Sequence, residues 1–297
     1  MSDPKLIAAV VSGTVTIFIF LLKGLTKPLW DKHFHHFKIR IEHKYEQKKK
    51  IKEAISKYKV PLIDSAESLN HRLWNFSINC SKDWLSFKPK EKINDKYYLQ
   101  SFCYRYLVFF AWCRKIEKEL VYLDGTLSDK DDLYFVKYLK TMQNVFCDVS
   151  IFDGRNYDSE HAVDHFFKDQ LLAMADSLIT EKGVISFSEF QSWNINKYKN
   201  VCDYFSTISK DKNCNKWFVL HGFHFVLMAF LSRYGYDYQK TSKLKLEELR
   251  AKTPKNLIAN NLLQLIKDAR LGGCNHINTA MNVLCEKSRK INWLTYL

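Results

Sequence analysis

The sequence predicts an all-α fold, and three observations carry this prediction. The 297 residues are 46% hydrophobic and 15% aromatic, so the chain has enough apolar side chains to bury a substantial core. It has only 9 Gly and 5 Pro, whereas a β-sandwich or β-barrel needs a turn about every 8–12 residues. Apolar residues recur at spacings of three and four, and the alternation typical of strands never extends beyond a few residues. The same composition excludes disordered, collagen-like and disulfide-framework proteins.

The first 25 residues contain the most apolar stretch of the chain. Residues 6–22 carry no charge and lie between Lys5 and Lys23. As a helix this stretch spans roughly 25 Å, slightly less than a hydrocarbon core of about 30 Å. A signal peptide would have a shorter apolar core followed by a small-residue cleavage site, and a buried helix would carry a polar face. The sequence therefore predicts an uncleaved transmembrane anchor in residues 1–25.

Small residues lie along one side of this anchor, namely Ala9, Ser12, Gly13 and Thr16. In lipid, close backbone approach at small residues spaced four apart is a main source of helix association. We expect these residues to support a homo-oligomer; the alternative is a lipid-facing anchor without helix contacts. A heptad-like apolar row follows on the next helix, although Lys44 and Lys48 interrupt it. Its members are Phe34, Phe37, Ile41, Ile51, Ile55 and Tyr58.

Residues 26–59 are predicted to form a basic juxtamembrane helix. Residues 23–59, after the anchor, contain 12 Lys or Arg and 4 Asp or Glu. The segment before the anchor has only two positive groups, the α-amine and Lys5, and one negative group, Asp3. The positive-inside rule therefore predicts that the N-terminus is outside and everything after Lys23 is cytoplasmic.

The same basic segment predicts an interaction with anionic lipid headgroups. The candidate residues for binding the membrane surface are Lys38, Arg40, Lys44, Lys48, Lys49, Lys50 and Lys52. Nucleic acid is the rival partner, since the chain has a net charge of +14 and many aromatic residues. Proximity to the predicted anchor favours lipid.

The eight cysteines agree with a cytosolic body. They form no C-x-x-C pair and no spacing typical of a disulfide framework, so we expect reduced thiols. Together with the anchor, this predicts a single-pass protein of the bacterial inner membrane.

Residues 60–297 are predicted to form one cytosolic helical domain, with neither an internal repeat nor a Gly/Ser linker. Pro61 can open a new helix, because the first turn of a helix does not need its missing N–H. Apolar spacing predicts further helices at residues 95–123, 129–149 and 160–180. Ser186 and Glu189 form a capping box at the start of the next helix. Three more are expected at 243–252, 254–269 (opened by Pro254) and 276–287.

Residues 217–232 lack formal charge and raise the question of a second membrane span. Sixteen residues that include His221, Gly222 and His224 are short for a span. A second crossing would also move residues 233–297, with 12 Lys or Arg and 5 Asp or Glu, to the outside. We therefore expect a buried helix, in which the two histidines are core residues.

The order of these features resembles a large group of uncharacterised bacterial membrane-anchored helical proteins. The resemblance rests on the N-terminal span and on residues 60–73 (VPLIDSAESLNHRL), 110–124 (FAWCRKIEKELVYLD) and 167–170 (FKDQ). It covers about two-thirds of the chain, implies the same architecture and implies no reaction.

One motif could carry catalysis. Arg155-Asn156, four further residues and His161 match the R-N-x4-H form and resemble the HEPN ribonucleases. That resemblance implies that Arg155 and His161 polarise the phosphate and assist attack by the RNA 2′-hydroxyl. Arg and His also fall at this spacing by chance in a chain with 10 His.

Other chemistry has weaker support. His161 and His165 lie at i, i+4 beside Asp164, but no third metal ligand can be named, so we interpret them as a solvated polar face. P-loop, dinucleotide-binding and α/β-hydrolase motifs do not occur in the sequence. We expect no cofactor and no metal.

These observations predict a membrane-anchored, oligomerising helical protein without enzymatic activity, acting as a defence or stress effector at the inner membrane. The alternatives are a membrane-tethered HEPN-like ribonuclease and a passive scaffold that recruits a cytosolic protein partner.

Overall fold

The computed structural model describes residues 3–88, 91–124, 128–158, 160, 163–209, 214–251 and 255–285, and of residues 25–32 it describes the backbone only. Over these ranges the chain is helical and contains no strand; Ile179 and Val184 form an isolated β-bridge. The predicted all-α class is confirmed.

The helices follow one another in a simple order. They are α1 (Pro4–Asn79), α2 (Tyr97–Leu120), α3 (Lys130–Cys147), α4 (Lys168–Ser177), α5 (Phe187–Gln191), α6 (Lys199–Ser206), α7 (Asn215–Tyr234), α8 (Lys243–Ala251), α9 (Ala259–Asp268) and α10 (Asn275–Cys285). Short 3₁₀ segments occur at Cys80–Lys82, Ile93–Asp95, Val149–Phe152, Ile195–Lys197 and Asp237–Gln239.

Helix α1 is continuous through Pro61, so the expected start of a new helix at that residue is wrong. A proline inside a helix removes one backbone hydrogen bond and costs about 3 kcal/mol. The residues that follow it offset this cost, because Leu62, Ala66 and Leu69 are fully buried in the core. Burial already begins at Ile51, and both predicted domain boundaries (after residues 25 and 59) fall inside α1.

Helix α2 runs antiparallel to the second half of α1. The Tyr98 hydroxyl donates to Asn75 Oδ1 (2.9 Å) near one end of the pair, and Lys57 Nζ donates to Glu119 Oε1 (2.9 Å) near the other. The carboxyl end of α2 therefore lies toward the exposed part of α1.

Helix α7 is the central helix of the body and packs against α1, α3, α9 and α10. Every residue from Asn215 to Ser232 is buried, which confirms that residues 217–232 are a core helix. A Cβ atom at Gly222 would lie 2.7 Å from Leu262 Cδ2, so the absence of a side chain there permits the close approach of α9.

Two expected helix starts differ from the structure by several residues. Helix α4 begins at Lys168 rather than near residue 160, because the Phe166 N–H donates to the Phe146 carbonyl (2.8 Å) at the end of α3. Helix α9 begins at Ala259; Pro254 lies outside the described residues. Before α9, Asn256 is buried in a turn, where its side chain accepts from the Ile258 N–H (3.0 Å) and donates to the Phe218 carbonyl (2.8 Å).

The capping box predicted before residue 187 is confirmed, since Ser186 and Glu189 make both of its hydrogen bonds. The helix it opens is only five residues long, and the sequence did not predict the separate helix α6. Helix α10 begins at Asn275, one residue before the predicted start.

Candidate functional site

The N-terminal segment of α1, Pro4–Gly24, is long and apolar enough to cross a membrane, and none of it is buried against the body. Its threonine hydroxyls are satisfied inside the helix: Thr14 donates to the Val10 carbonyl (3.0 Å) and Thr16 to the Ser12 carbonyl (2.8 Å). Such internal bonding matters in hydrocarbon, where no water can pair with a polar group.

The four small residues proposed for oligomerisation are exposed on this segment. Ala9, Ser12, Gly13 and Thr16 follow the spacing of one helix face, and a Cβ atom at Gly13 would meet nothing within 4 Å. This side of the segment is free in the monomer, and its role in association stays a prediction.

The basic segment of α1 is exposed but has partners of its own. Lys48 Nζ lies 3.0 Å from Asp129 Oδ1, which precedes α3. Lys38 and Lys49 lie 3.9 Å from the acids one turn later, Glu42 and Glu53. At 100° per residue, the seven basic positions point in all directions around the helix. A flat membrane surface can therefore contact only part of the set at one time.

The described structure includes only one of the two predicted catalytic residues, Arg155. His161 lies outside the described residues. Arg155 Nε donates to Asn215 Oδ1 (3.2 Å), and the guanidinium lies 5.3 Å from the centre of the Phe218 ring. Both contacts tie Arg155 to the start of α7.

Asn215 is the centre of this polar cluster. Its Nδ2 donates to the Asn156 carbonyl (3.1 Å) and to Asp164 Oδ2 (2.9 Å), while its Oδ1 accepts from Arg155. One buried amide thus joins α7 to the two halves of the loop that follows α3. The ribonuclease hypothesis stays a prediction, and these contacts give Arg155 a clear structural role.

Asp164 and His165, two of the three residues considered for a metal, have different partners. Asp164 binds Asn215, whereas His165 Nδ1 is hydrogen-bonded to the Tyr157 hydroxyl. Burial lowers the pKa of His165, and the nearby Asp164 opposes this shift. The imidazole is therefore neutral at physiological pH.

The two histidines of α7 are core residues, as predicted. His224 Nε2 donates to Asn70 Oδ1 (3.0 Å) on α1, and its ring lies edge-on to Trp74. Burial, together with His221, lowers the pKa of His224 well below its usual value, so it is neutral. His224 Nδ1 is buried without a hydrogen-bond partner, and His221 lies near Asn256.

Sequence reasoning missed a cleft of about 350 Å³ between the loop before α4, the helix α6 and the start of α7. Its polar lining includes His165, Gln170, Asn200, Asp203, Thr207 and Lys216. In the sequence, Lys216 is only the charged residue that precedes the apolar run at residues 217–232. No motif places it opposite Thr207, because the contact depends on how α6 and α7 pack.

Sequence reasoning also missed the surroundings of Cys274, the residue before α10. The Tyr138 hydroxyl lies 3.2 Å and Arg233 Nη1 3.1 Å from its sulfur, and the Ile277 N–H donates to it as well. Burial by itself would raise the pKa of this thiol, but the three donors together lower it. Burial raises the pKa of Cys113, for comparison, well above its usual value.

Comparison with protein-family models, with curated proteins and with solved structures gives no match for this chain. The assignment of a function therefore depends on the residues and their geometry alone.

Proposed function

We propose that this chain is a single-pass protein of the bacterial inner membrane, in which α1 holds a cytosolic helical body away from the bilayer. One observation supports this most: the same helix is apolar and wholly exposed at its start and buried in the core at its end. The helix of a soluble core would bury such a segment, because exposed apolar surface in water is unfavourable.

The length of α1 sets the distance of the body from the membrane. From Gly24 to Ile51, where burial begins, the helix rises roughly 40 Å at 1.5 Å per residue. Exposed charges are screened beyond a Debye length of about 8 Å at physiological salt. If α1 follows the bilayer normal, Lys52 is too far away to contact headgroups. The lipid contact that we propose for the basic segment thus requires α1 to tilt toward the surface, and it involves Lys38 and Arg40 first.

Topology is the first test of this proposal. A reporter that is active only in the cytoplasm, fused after Leu297, should be active. Deletion of residues 1–25 should release the body into the soluble fraction. Activity of a periplasm-specific reporter at the same position would contradict the single-pass orientation. An N-terminus that begins after residue 23 in the mature protein would identify a signal sequence instead.

We also propose that the protein self-associates and acts as a defence or stress effector that perturbs the inner membrane when its body is triggered. The support is an exposed apolar row along α1: Phe34 and Phe37 are 60% and 59% exposed, and Ile41 continues the row. Copies anchored in one membrane point in the same direction, so these rows can face each other.

Expression in cells tests the effector role. Membrane potential should fall when the full chain is expressed and should be retained when residues 1–25 are deleted. An unchanged potential, together with a stoichiometric complex with a cytosolic protein, would favour the passive scaffold.

A further inference from the structure

The cleft beside α6 contains a buried ammonium group that makes no ion pair among the described residues. Lys216 is only 9% exposed, and its Nζ donates to Thr207 Oγ1 (2.6 Å). Two acids act on it from a distance: Asp164 binds Asn215, and Asp203, which also lines the cleft, binds Lys199. The Tyr204 ring, 5.3 Å away, offers a cation–π contact.

Moving a charge out of water without a partner is unfavourable, and a perturbed charged group in a cleft is a candidate for a functional site. Burial lowers the pKa of Lys216, in the direction expected for a desolvated ammonium. Asp164, Cys214 and Asp203 oppose the shift from a distance without cancelling it. An anion in the cleft would supply the missing counter-charge.

A second unpaired polar group lines the same cleft. Tyr204 is 3% exposed, and its buried hydroxyl has no hydrogen-bond partner among the described residues. Buried hydroxyls nearly always have partners, so this group is unusual in a residue that lines a cleft. Lys216 and Tyr204 come from different helices, α7 and α6, which makes this a convergence of two elements on one space.

The cleft also has an aromatic lining. Phe167 lines it and is 54% exposed, and its ring lies edge-on to His165 at 5.3 Å. His165 uses Nδ1 for Tyr157, which leaves Nε2 for another partner. A large exposed ring in the lining of a cleft offers a stacking surface for a flat group.

We propose that this cleft binds a small organic anion that carries a flat ring, with the acidic group paired to Lys216 Nζ and the ring against Phe167. A volume of about 350 Å³ suits a molecule of this size. The site contains no residue of the membrane anchor and does not include Arg155.

Pyridoxal 5′-phosphate is a suitable probe, because it combines a ring, a phosphate and an aldehyde. The unprotonated Lys216 amine attacks the aldehyde carbon, a C–N bond forms and water leaves, giving an imine. Added borohydride delivers hydride to the imine carbon and fixes the label as a secondary amine. Peptide mass spectrometry of the full chain in detergent then locates the label.

We expect Lys216 to be labelled about tenfold faster than the exposed Lys168, a difference of about 1.4 kcal/mol in the barrier. Adenosine 5′-monophosphate should slow the labelling of Lys216 but not that of Lys168. Adenosine, which lacks the charge, should not slow it. Inorganic phosphate, which lacks the ring, should protect less than the nucleotide.

Matched variants complete the test. Lys216→Met should abolish the protected label, whereas Lys168→Met, with the same loss of charge, should leave it unchanged. Thermal unfolding shows whether each variant folds. If Lys216→Met does not fold, the protection experiment on the natural sequence tests the proposal instead. Labelling of Lys216 no faster than that of exposed lysines, or labelling that neither anion slows, would overturn the proposal. Equal protection by phosphate and nucleotide would overturn the assignment of a ring.

Discussion

At the scale of single residues, Asn215 is the residue that holds the polar cluster around Arg155 together. Its amide joins Arg155, the Asn156 carbonyl and Asp164. When one partner of a buried hydrogen bond is removed, the other is left unsatisfied. Each such buried group lowers the free energy of unfolding by about 1–3 kcal/mol. Residues of this kind hold a loop in place, whatever chemistry the loop performs.

We expect Asn215→Ala to lower the free energy of unfolding by about 2–3 kcal/mol, because three groups lose their partner. Urea unfolding followed by tryptophan fluorescence measures the change. Asn200→Ala is the matched control, since among the described residues the side-chain amide of this exposed residue donates one hydrogen bond, to Gln170, and its loss should cost less than about 0.5 kcal/mol. Equal losses in the two variants would show that the Asn215 network adds nothing to stability.

The ribonuclease hypothesis is also tested by single residues. If Arg155 is structural, Arg155→Ala lowers stability, and the purified protein leaves RNA intact. If instead it is catalytic, the natural chain cleaves RNA, and both Arg155→Ala and His161→Ala abolish cleavage while the fold is retained. Gel analysis of RNA and thermal unfolding of the same preparations separate the two outcomes.

Cys274 gives a pH dependence whose sign can be worked out. Its pKa is lower in the folded chain than in the unfolded chain, because Tyr138, Ile277 and Arg233 donate to the sulfur. The folded state therefore gains stability from the thiolate at a pH above the unfolded pKa of about 8.5, and loses this gain as the pH falls through the folded value.

We therefore expect the natural chain to gain stability relative to Cys274→Ser as the pH rises from 7 toward 9. Urea midpoints at several pH values measure the difference between the two proteins. Cys113→Ser serves as the control, since burial raises the pKa of that thiol and no gain should appear. A difference independent of pH would mean that folding leaves the pKa of the thiol unchanged, and a falling difference would mean that folding raises it.

At the scale of elements, α1 does three things along one continuous helix. Its first part is apolar and exposed, its middle is charged and exposed, and its last part is buried against α2 and α7. Because the helix is unbroken, a tilt or rotation at the start can be transmitted to the body. Pro61 lies inside the buried part, which begins at Ile51, and removes one backbone hydrogen bond of this helix.

We expect Pro61→Ala to stabilise the body by about 1–3 kcal/mol, since the restored N–H can bond to the Lys57 carbonyl. Thermal unfolding in detergent measures it. Val60→Ala, an exposed neighbour, should change stability by less than about 0.5 kcal/mol. A loss of stability in Pro61→Ala would indicate that the ring makes contacts worth more than a helical hydrogen bond.

The oligomer prediction also belongs to α1. Gly13→Ile fills the small-residue side of the anchor and should lower the oligomer size in mild detergent without changing membrane insertion. Thr14→Ile places the same side chain about 160° around the helix from Ser12 and Thr16 and should leave the size unchanged. Light scattering after size-exclusion chromatography gives the mass. Identical mass distributions for both variants would remove the anchor from the assembly.

At the scale of the whole molecule, two buried cysteines report the compartment of the body. Cys103 on α2 and Cys202 on α6 are fully buried, and their sulfurs lie 3.5 Å apart. A disulfide needs about 2.05 Å, so a small shift would suffice for bonding in an oxidising compartment. Burial, with help from Cys202, raises the pKa of Cys103 and slows its oxidation where glutathione is reduced.

In the proposed cytosolic orientation, both thiols should be free when the protein is isolated under acid quench. Alkylation after unfolding, followed by mass spectrometry, counts them, with Cys202→Ser as the control that cannot form the bond. A Cys103–Cys202 disulfide in most of the molecules would place the body outside the cytosol. Chemical oxidation of the purified chain shows separately that the pair can form.

The sequence by itself determined the all-α class, the apolar N-terminal helix, the capping box at Ser186 and the buried helix at residues 217–232. These features are local: apolar periodicity, the lack of charge and the chemistry of a helix start act within a few residues. The expected start of a new helix at Pro61 was wrong because this boundary depends on contacts that are not local. Contacts with α2 and α7, which come much later in the chain, stabilise the helix across the proline.

Only the tertiary structure decided which polar residues meet. The packing of helices and loops joins three pairs of polar residues that no spacing in the sequence predicts. The pairs are Lys216 with Thr207, Cys274 with Arg233, and Arg155 with Asn215. Residues far apart in sequence become neighbours because the helices pack their apolar faces together. The pKa of a charged group departs from its usual value only when this packing removes the group from water. The cleft at Lys216 is therefore a property of the packed molecule.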